Sequence, residues 1–317
     1  MPQPPFVQRP STRRRIMNLL TSALNKVQEL GAAVGIGSGT TFFVSSATGV
    51  DSTANGRARN IPFATIAYAI TQCTASAGDT IVVMEGHAET IDSAAKIDLS
   101  KIGVTLRGEG FGSRRPTLTW ATSTAATLTM SAAGNRITNM IFDMSLPSAL
   151  ISGIVVSAAQ CVIDNCLFRI GTAGAGTRPL QAILTTAAAD FLRVESCRFI
   201  EPTATPTTVS AASTVIKIVG GTGIVITNNF FMGWYTTSSG AVVSITTLTT
   251  AVEISNNFIF NQTATSTKAI ALLTGSTGFV VNNRMQILSG TAPITADGCM
   301  WAGNYYAATI ATAGTLV

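Results

Sequence analysis

Two carboxylates stand in the same place of two short, similar stretches: Asp164 in "VIDNCLF" (162–168) and Glu195 in "RVESCRF" (193–199). If the stretches are neighbouring parallel strands, their backbones lie about 4.8 Å apart. Retaining glycoside hydrolysis holds its two carboxyls about 5–5.5 Å apart, one as nucleophile and one as proton donor. A plainer account exists for the same residues. Arg193 lies two residues from Glu195 and would share its face, and Arg136 of "RITNMIF" (136–142) takes the equivalent place two repeats earlier. A surface ion cluster then explains all four, because like charges stacked without a counter-charge would be unfavourable. The ion cluster is the expectation, and Asp164 and Glu195 are the weak catalytic candidates.

Other chemistry is sparse. From residue 111 onward the acids are Asp143, Asp164, Asp190, Glu195, Glu201, Glu253 and Asp297, with no two aspartates adjacent or one apart. The single histidine, His87, sits in "EGHAET" and reads as a surface turn residue rather than a proton shuttle. The five cysteines (73, 161, 166, 197, 299) are odd in number and lack metal-type spacing, so small core residues of a reduced protein fit them best. Cys166 and Cys197 would stack on adjacent coils at a separation that permits a disulfide, with free thiols expected. No metal or cofactor is expected.

What could position such residues is a repeat. "VITNNFF" (225–231), "VEISNNFIF" (252–260) and "VVNNRM" (280–285) continue the series, and their polar hinges, Asn139, Asn165, Ser196, Asn228, Asn256 and Asn282, recur every 26 to 32 residues. Such periods mean stacked units. Each repeat carries an earlier apolar run, for example "GIVVSAA" (153–159) and "VIKIVGG" (215–221). Short strands without intervening helices build a parallel β-helix, in which equivalent residues form ladders. Alternation turns Ile163, Val194, Ile226, Ile254 and Val280 inward, and two residues on it predicts a buried Asn column at the hinges. Phe142, Phe168, Phe199 and Phe231 would stack at an inner corner. Val162, Val225 and Phe279 would lie outward, and so few charges around them suggest a homotrimer.

The entry has its own signature. "FFVSSATGVDSTANGRARNIPFATIAYAITQC" (42–73) reads as a strand, a polar loop and a helix with Phe63, Ile66, Ala67 and Ile70 on one face, before the strand "TIVVMEG" (80–86). An amphipathic helix laid over the first coil blocks an open end. The layout resembles the entry of the pectin-lyase-like, right-handed single-stranded parallel β-helix proteins. That resemblance implies an all-β fold with an N-terminal capping helix. Relatives of this fold cleave acidic polysaccharides with calcium-binding aspartate clusters or with aspartates on adjacent coils, and this sequence departs from both patterns.

The amino-terminal segment differs chemically from the rest. Residues 1–30 hold Arg9, Arg13, Arg14, Arg15 and Lys26 against Glu29, so most of the net charge of +5 sits there. "MPQPPFVQRP" is too rich in proline for a helix and reads as an extended arm. Ile16, Leu20, Ala23, Val27 and Leu30 then form one stripe of an amphipathic helix ending near Gly31. The expected organisation is an arm and anchoring helix over 1–31, a linker, entry strand and cap helix over 32–79, and the β-helix over 80–317.

The longest apolar run, 149–163, is interrupted and short of the roughly 20 residues of a membrane span. Four or five charges give little affinity for nucleic acid. With catalytic motifs missing, the layout resembles bacteriophage virion β-helix proteins. The expectation is a non-enzymatic capsid decoration or head-spike protein, made in the host cytoplasm and placed on the outer surface of the particle. Arg9, Arg13, Arg14, Arg15, Ile16, Leu20 and Val27 would dock on the major capsid protein or another virion protein. The alternative is a tail-spike-like protein that binds a host surface glycan, or a polysaccharide-degrading enzyme using Asp164 and Glu195.

Overall fold

In the computed structural model the residues described are 39–120, 124–144, 150–170, 181–200, 214–233, 243–261, 268–287, 294–295, 298–307 and 315–316. The chain divides between Gly39 and Thr40, and the fold below belongs to the unit Thr40–Val317. The anchor residues Arg9, Arg13, Arg14, Arg15, Ile16, Leu20 and Val27 lie outside the described residues.

Three sheets wind around one core to make a parallel β-helix. Sheet 1 has ten strands, from Thr41–Val44 and Thr80–Val83 through Val162–Asp164, Arg193–Glu195 and Val225–Thr227 to Cys299–Ala302. Sheet 2 runs from Ala88–Ile91 through Ile141–Met144, Leu167–Ile170 and Phe258–Asn261 to Tyr305–Ala307. Sheet 3 runs from Ile97–Asp98 to Ile294–Thr295. Each strand pairs in parallel with its equivalent one coil away; among the described strands only Thr315–Leu316 runs antiparallel, on Tyr305–Ala307. Ile137, Ile163, Val194, Ile226, Ile254 and Val280 form one fully buried column of sheet 1, as alternation requires. The Phe column of sheet 2 is buried too, with ring centroids 4.8, 4.4 and 4.8 Å apart from Phe142 to Phe231. Full burial of such a side chain contributes about 1.5–3 kcal/mol, so these columns form the main apolar stabilisation of each coil.

The asparagine hinges differ from expectation. Asn165, Asn228, Asn256 and Asn282 are exposed, and with Asn139 and Ser196 they have φ between 52° and 59°. This left-handed backbone is the bend from sheet 1 to sheet 2, and Asn tolerates it better than other non-glycine residues. A left-handed residue breaks the two-residue alternation, so the next residue turns inward. That column is Met140, Cys166, Cys197, Asn229, Asn257, Asn283 and Asn304, all buried. The amides of Asn229, Asn257 and Asn283 donate to Oδ1 of the next Asn at 3.1, 2.9 and 3.0 Å. They also donate to the Val194, Ile226 and Ile254 carbonyls, each at 2.9 Å. A buried amide is tolerable because its donors are satisfied this way.

The entry strand Thr41–Val44 is the first rung of sheet 1. The loop after it folds back onto its free edge: the Phe43 N–H donates to the Gly56 carbonyl at 2.8 Å, and the Ser45 N–H to the Phe63 carbonyl at 2.9 Å. Asp51 accepts from the Ala64 and Thr65 N–H groups and from the Thr65 hydroxyl, fixing the start of the helix Ile66–Gln72. Its buried residues are Ile66, Ala69 and Ile70; Phe63 precedes the helix and bridges to Val44. No helix among the described residues is long and apolar enough to cross a membrane.

Candidate functional site

Sheet 1 brings Asp164 and Glu195 together. They are direct register partners on its outer face, flanked in the same column by Thr138 and Thr227. Alternation sets them outward because Ile163 and Val194, one residue back, are core. Asp164 is held on three sides: Arg136 Nε and Nη2 donate to its two oxygens at 2.7 and 2.8 Å, and the Thr138 hydroxyl donates at 2.9 Å. Glu195 is held by Arg193 alone, with Nη2 to Oε2 at 3.0 Å. Its side chain is 28% exposed against 14% for Asp164, so Glu195 is the freer group. The hydrogen bond to Asp164 pushes the Arg136 guanidinium further above its ordinary value, and that to Glu195 does the same for Arg193. One coil beyond Thr227, Ser255 donates to Glu253 at 2.7 Å, so a third carboxylate ends the polar stripe.

Behind the pair, Cys166 and Cys197 are free and buried. Burial, with the neighbouring Cys166 thiol next, raises the Cys197 pKa well above the ordinary thiol value, which removes it as a nucleophile. No group of three His, Cys, Asp or Glu able to hold a metal occurs among the described residues.

His87 is not a surface turn residue. Its side chain is fully buried, and its Nδ1 accepts from the Ser46 N–H at 2.9 Å, which leaves the proton on Nε2, 3.2 Å from Glu89 Oε2. Glu89 Oε2 also accepts from the Ile66 N–H at 3.0 Å. The histidine ties the entry loop to the first strand of sheet 2, far in sequence from the carboxylate pair.

A second outward column escaped the sequence reading. Arg198, Phe230, Phe258, Arg284 and Tyr305 follow one another on successive coils of sheet 2. Each lies immediately after the inward column of the bend, so the second position of "NNFF" and "NNFIF" after the hinge was its trace.

No protein-family model matches the sequence, and no curated protein matches it. Solved structures do. A GH136 lacto-N-biosidase from Eubacterium ramulus is similar with a TM-score of 0.55 at 12% identity, over 92% of this chain. This chain spans only 59% of that structure's length. A PL6-family polysaccharide lyase from Pseudopedobacter saltans is similar with a TM-score of 0.38 at 15% identity, over 73% of this chain and 62% of that one. An alginate lyase from a Paenibacillus species has a TM-score of 0.39 at 14% identity, over 76% of this chain and 92% of that one. At these identities the likeness is one of fold: the parallel β-helix is the class to which the chain's architecture belongs. It corrects one expectation. The expectation of a non-enzymatic protein rested on the missing acid clusters, yet the lacto-N-biosidase, which shares the fold at a TM-score of 0.55, is by its name an enzyme, so the non-enzymatic reading is dropped.

Proposed function

We propose that this chain is a polysaccharide-degrading β-helix enzyme, with Asp164 and Glu195 as its working carboxylates. The observation that carries the reading is their register pairing on the outer face of sheet 1, each oriented by its own arginine. The fold shared with the lacto-N-biosidase supports it. One strand spacing, about 4.8 Å, sets two carboxyls near the separation used in retaining hydrolysis.

The roles follow from the contacts. Arg136 and Thr138 fix Asp164, which attacks the anomeric carbon as the glycosidic C–O bond breaks. Glu195, tied on one side only, takes up a proton from solvent as it leaves Arg193 and gives it to the leaving oxygen. It then takes a proton from the water that displaces Asp164, which restores both groups. Arg193 holds Glu195 on the outer face of sheet 1 between turnovers. The test is a reducing-end assay over neutral and acidic polysaccharides with the unaltered chain, Asp164→Asn and Glu195→Gln. Cleavage by the unaltered chain alone is expected. Undiminished cleavage by both variants would make the four residues an ion cluster, and an inert unaltered chain would remove the enzymatic reading.

A further inference from the structure

The outer column of sheet 2 combines features that neither the core nor the carboxylate pair uses. Phe230 and Phe258 stack with centroids 5.2 Å apart and planes within 2°, and Arg198 lies over the Phe230 ring at 5.5 Å. Beyond Phe258 the column continues with Arg284 and Tyr305, and a pocket of about 470 Å³ opens there. Phe258 and Tyr305 are 41% and 45% exposed. Asn256, Asn282 and Arg284 line the same pocket, and among the described residues their side-chain amides and guanidinium have no hydrogen-bond or ionic partner. The size is that of a small-ligand site, roughly 300–1,000 Å³.

An exposed aromatic edge, two free amides and an unpaired guanidinium on rigid strands are complementary to a sugar ring that carries an anionic substituent. The ring's apolar face covers Phe258 and Tyr305, its hydroxyls meet the Asn256 and Asn282 amides, and its carboxylate or sulfate pairs with Arg284. The other occupants fit less well. Phe230 is sandwiched between Arg198 and Phe258, which leaves it no open face for a nucleic-acid base. A twofold contact with a second copy would bring the same unpaired cation onto both sides of the interface.

We propose that the pocket between Phe258 and Tyr305 is a non-catalytic glycan-holding site for anionic sugars, around the bend from the carboxylate pair. It rests on the glycan-acting reading for its choice of ligand, but not on Asp164 or Glu195. Affinity electrophoresis of the full chain tests it in gels containing alginate, dextran sulfate or plain dextran. Retardation by an anionic polymer and not by dextran is expected, and alginate against dextran sulfate separates carboxylate from sulfate. Arg284→Gln and Phe258→Ala, both at exposed strand positions, should each weaken binding roughly tenfold, the effect of losing a charge-assisted pair or a stacking face. Lys101→Gln, which removes a charge far from both sites, should bind as the unaltered chain does. Equal retardation of all variants, no preference for anionic polymers, or conversion of an oligomer to monomer by Phe258→Ala in sedimentation would each overturn the site. Loss of cleavage in Asp164→Asn with binding intact would leave both proposals standing. Binding by a chain that cleaves nothing would sink only the enzymatic one.

Discussion

The Asn283 Oδ1 atom accepts twice from Asn257, from its backbone N–H at 3.0 Å and from its side-chain amide at 2.9 Å. This reciprocal fit of one residue on the next coil explains why asparagine can repeat inside an otherwise apolar column. Replacing Asn257 by Leu takes the acceptor from the Asn229 backbone N–H and side-chain amide and the amide donor from the Ile226 carbonyl, while Asn283 Oδ1 keeps only the backbone N–H, so it should cost about 1–3 kcal/mol. Asn256→Leu acts differently: it loses no hydrogen bond and stores only the strain of a left-handed Leu, about 1–2 kcal/mol. Asn256→Gly should be close to neutral. Chemical denaturation of the three variants checks this order, and equal losses for Asn257→Leu and Asn256→Gly would contradict it.

The periodic part of the fold was legible because parallel stacking repeats the same residue types at the same positions. Ile163, Val194 and Ile226 announced a buried column, and the Phe column announced a corner. The bend was misjudged by one residue, because a two-residue count cannot register the change of φ at Asn228. His87 was misjudged for a related reason: nothing in "EGHAET" reveals that the loop around Ser46, about forty residues earlier in sequence, closes over it. The carboxylate pair was legible as neighbours, since stacking alone decides that. Which arginine holds which carboxylate depends on side-chain rotamers, and those were not.

The exposed ion pairs around the candidate site set a second expectation. Arg136 is half-exposed, so losing its pair with Asp164 should change stability by only about 0–1 kcal/mol. If Asp164 works as proposed, Arg136→Gln still lowers cleavage strongly, because the carboxylate loses its orientation. Melting temperature and initial rate measured on the same variant separate the two effects. A variant that melts normally and cleaves normally would show that Arg136 does not position Asp164 for the reaction.

Buried thiols make the fold sensitive to alkali. Burial, assisted by Asp79, pushes the Cys73 thiol from 9.0 up to about 12, and burial pushes Cys161 from 9.0 to about 11. A folded-state pKa above the unfolded one means that the native protein holds its protons longer. The stabilising contribution is therefore complete below pH 9 and falls as pH rises toward 11 for Cys161 and 12 for Cys73. Denaturation midpoints should decline over that window, and Cys73→Ala should make the decline shallower. The native protein should also leave its buried thiols unreactive to a thiol reagent at pH 8. Rapid native-state labelling of Cys73 would contradict its burial.

Protection of the first rung depends on a single glycine. Gly56 has φ of 85°, and its carbonyl accepts from Phe43 on the outer edge of sheet 1. A Cβ at this position would fall inside the Phe63 ring, which itself packs on Phe42 at 5.8 Å and Tyr68 at 5.1 Å. Gly56→Ala therefore meets both left-handed strain and a ring that cannot move without disturbing the cap, and should cost upwards of about 2 kcal/mol. The greater consequence is exposure of the edge. Once the loop lifts, the N–H groups of Phe43 and Ser45 are unpaired, and an open parallel edge is a template for another chain. Light scattering during mild heating should show Gly56→Ala associating well below its melting temperature while the unaltered chain stays dispersed. A variant that loses stability yet remains dispersed would mean that the helix Ile66–Gln72, rather than the loop, guards this end.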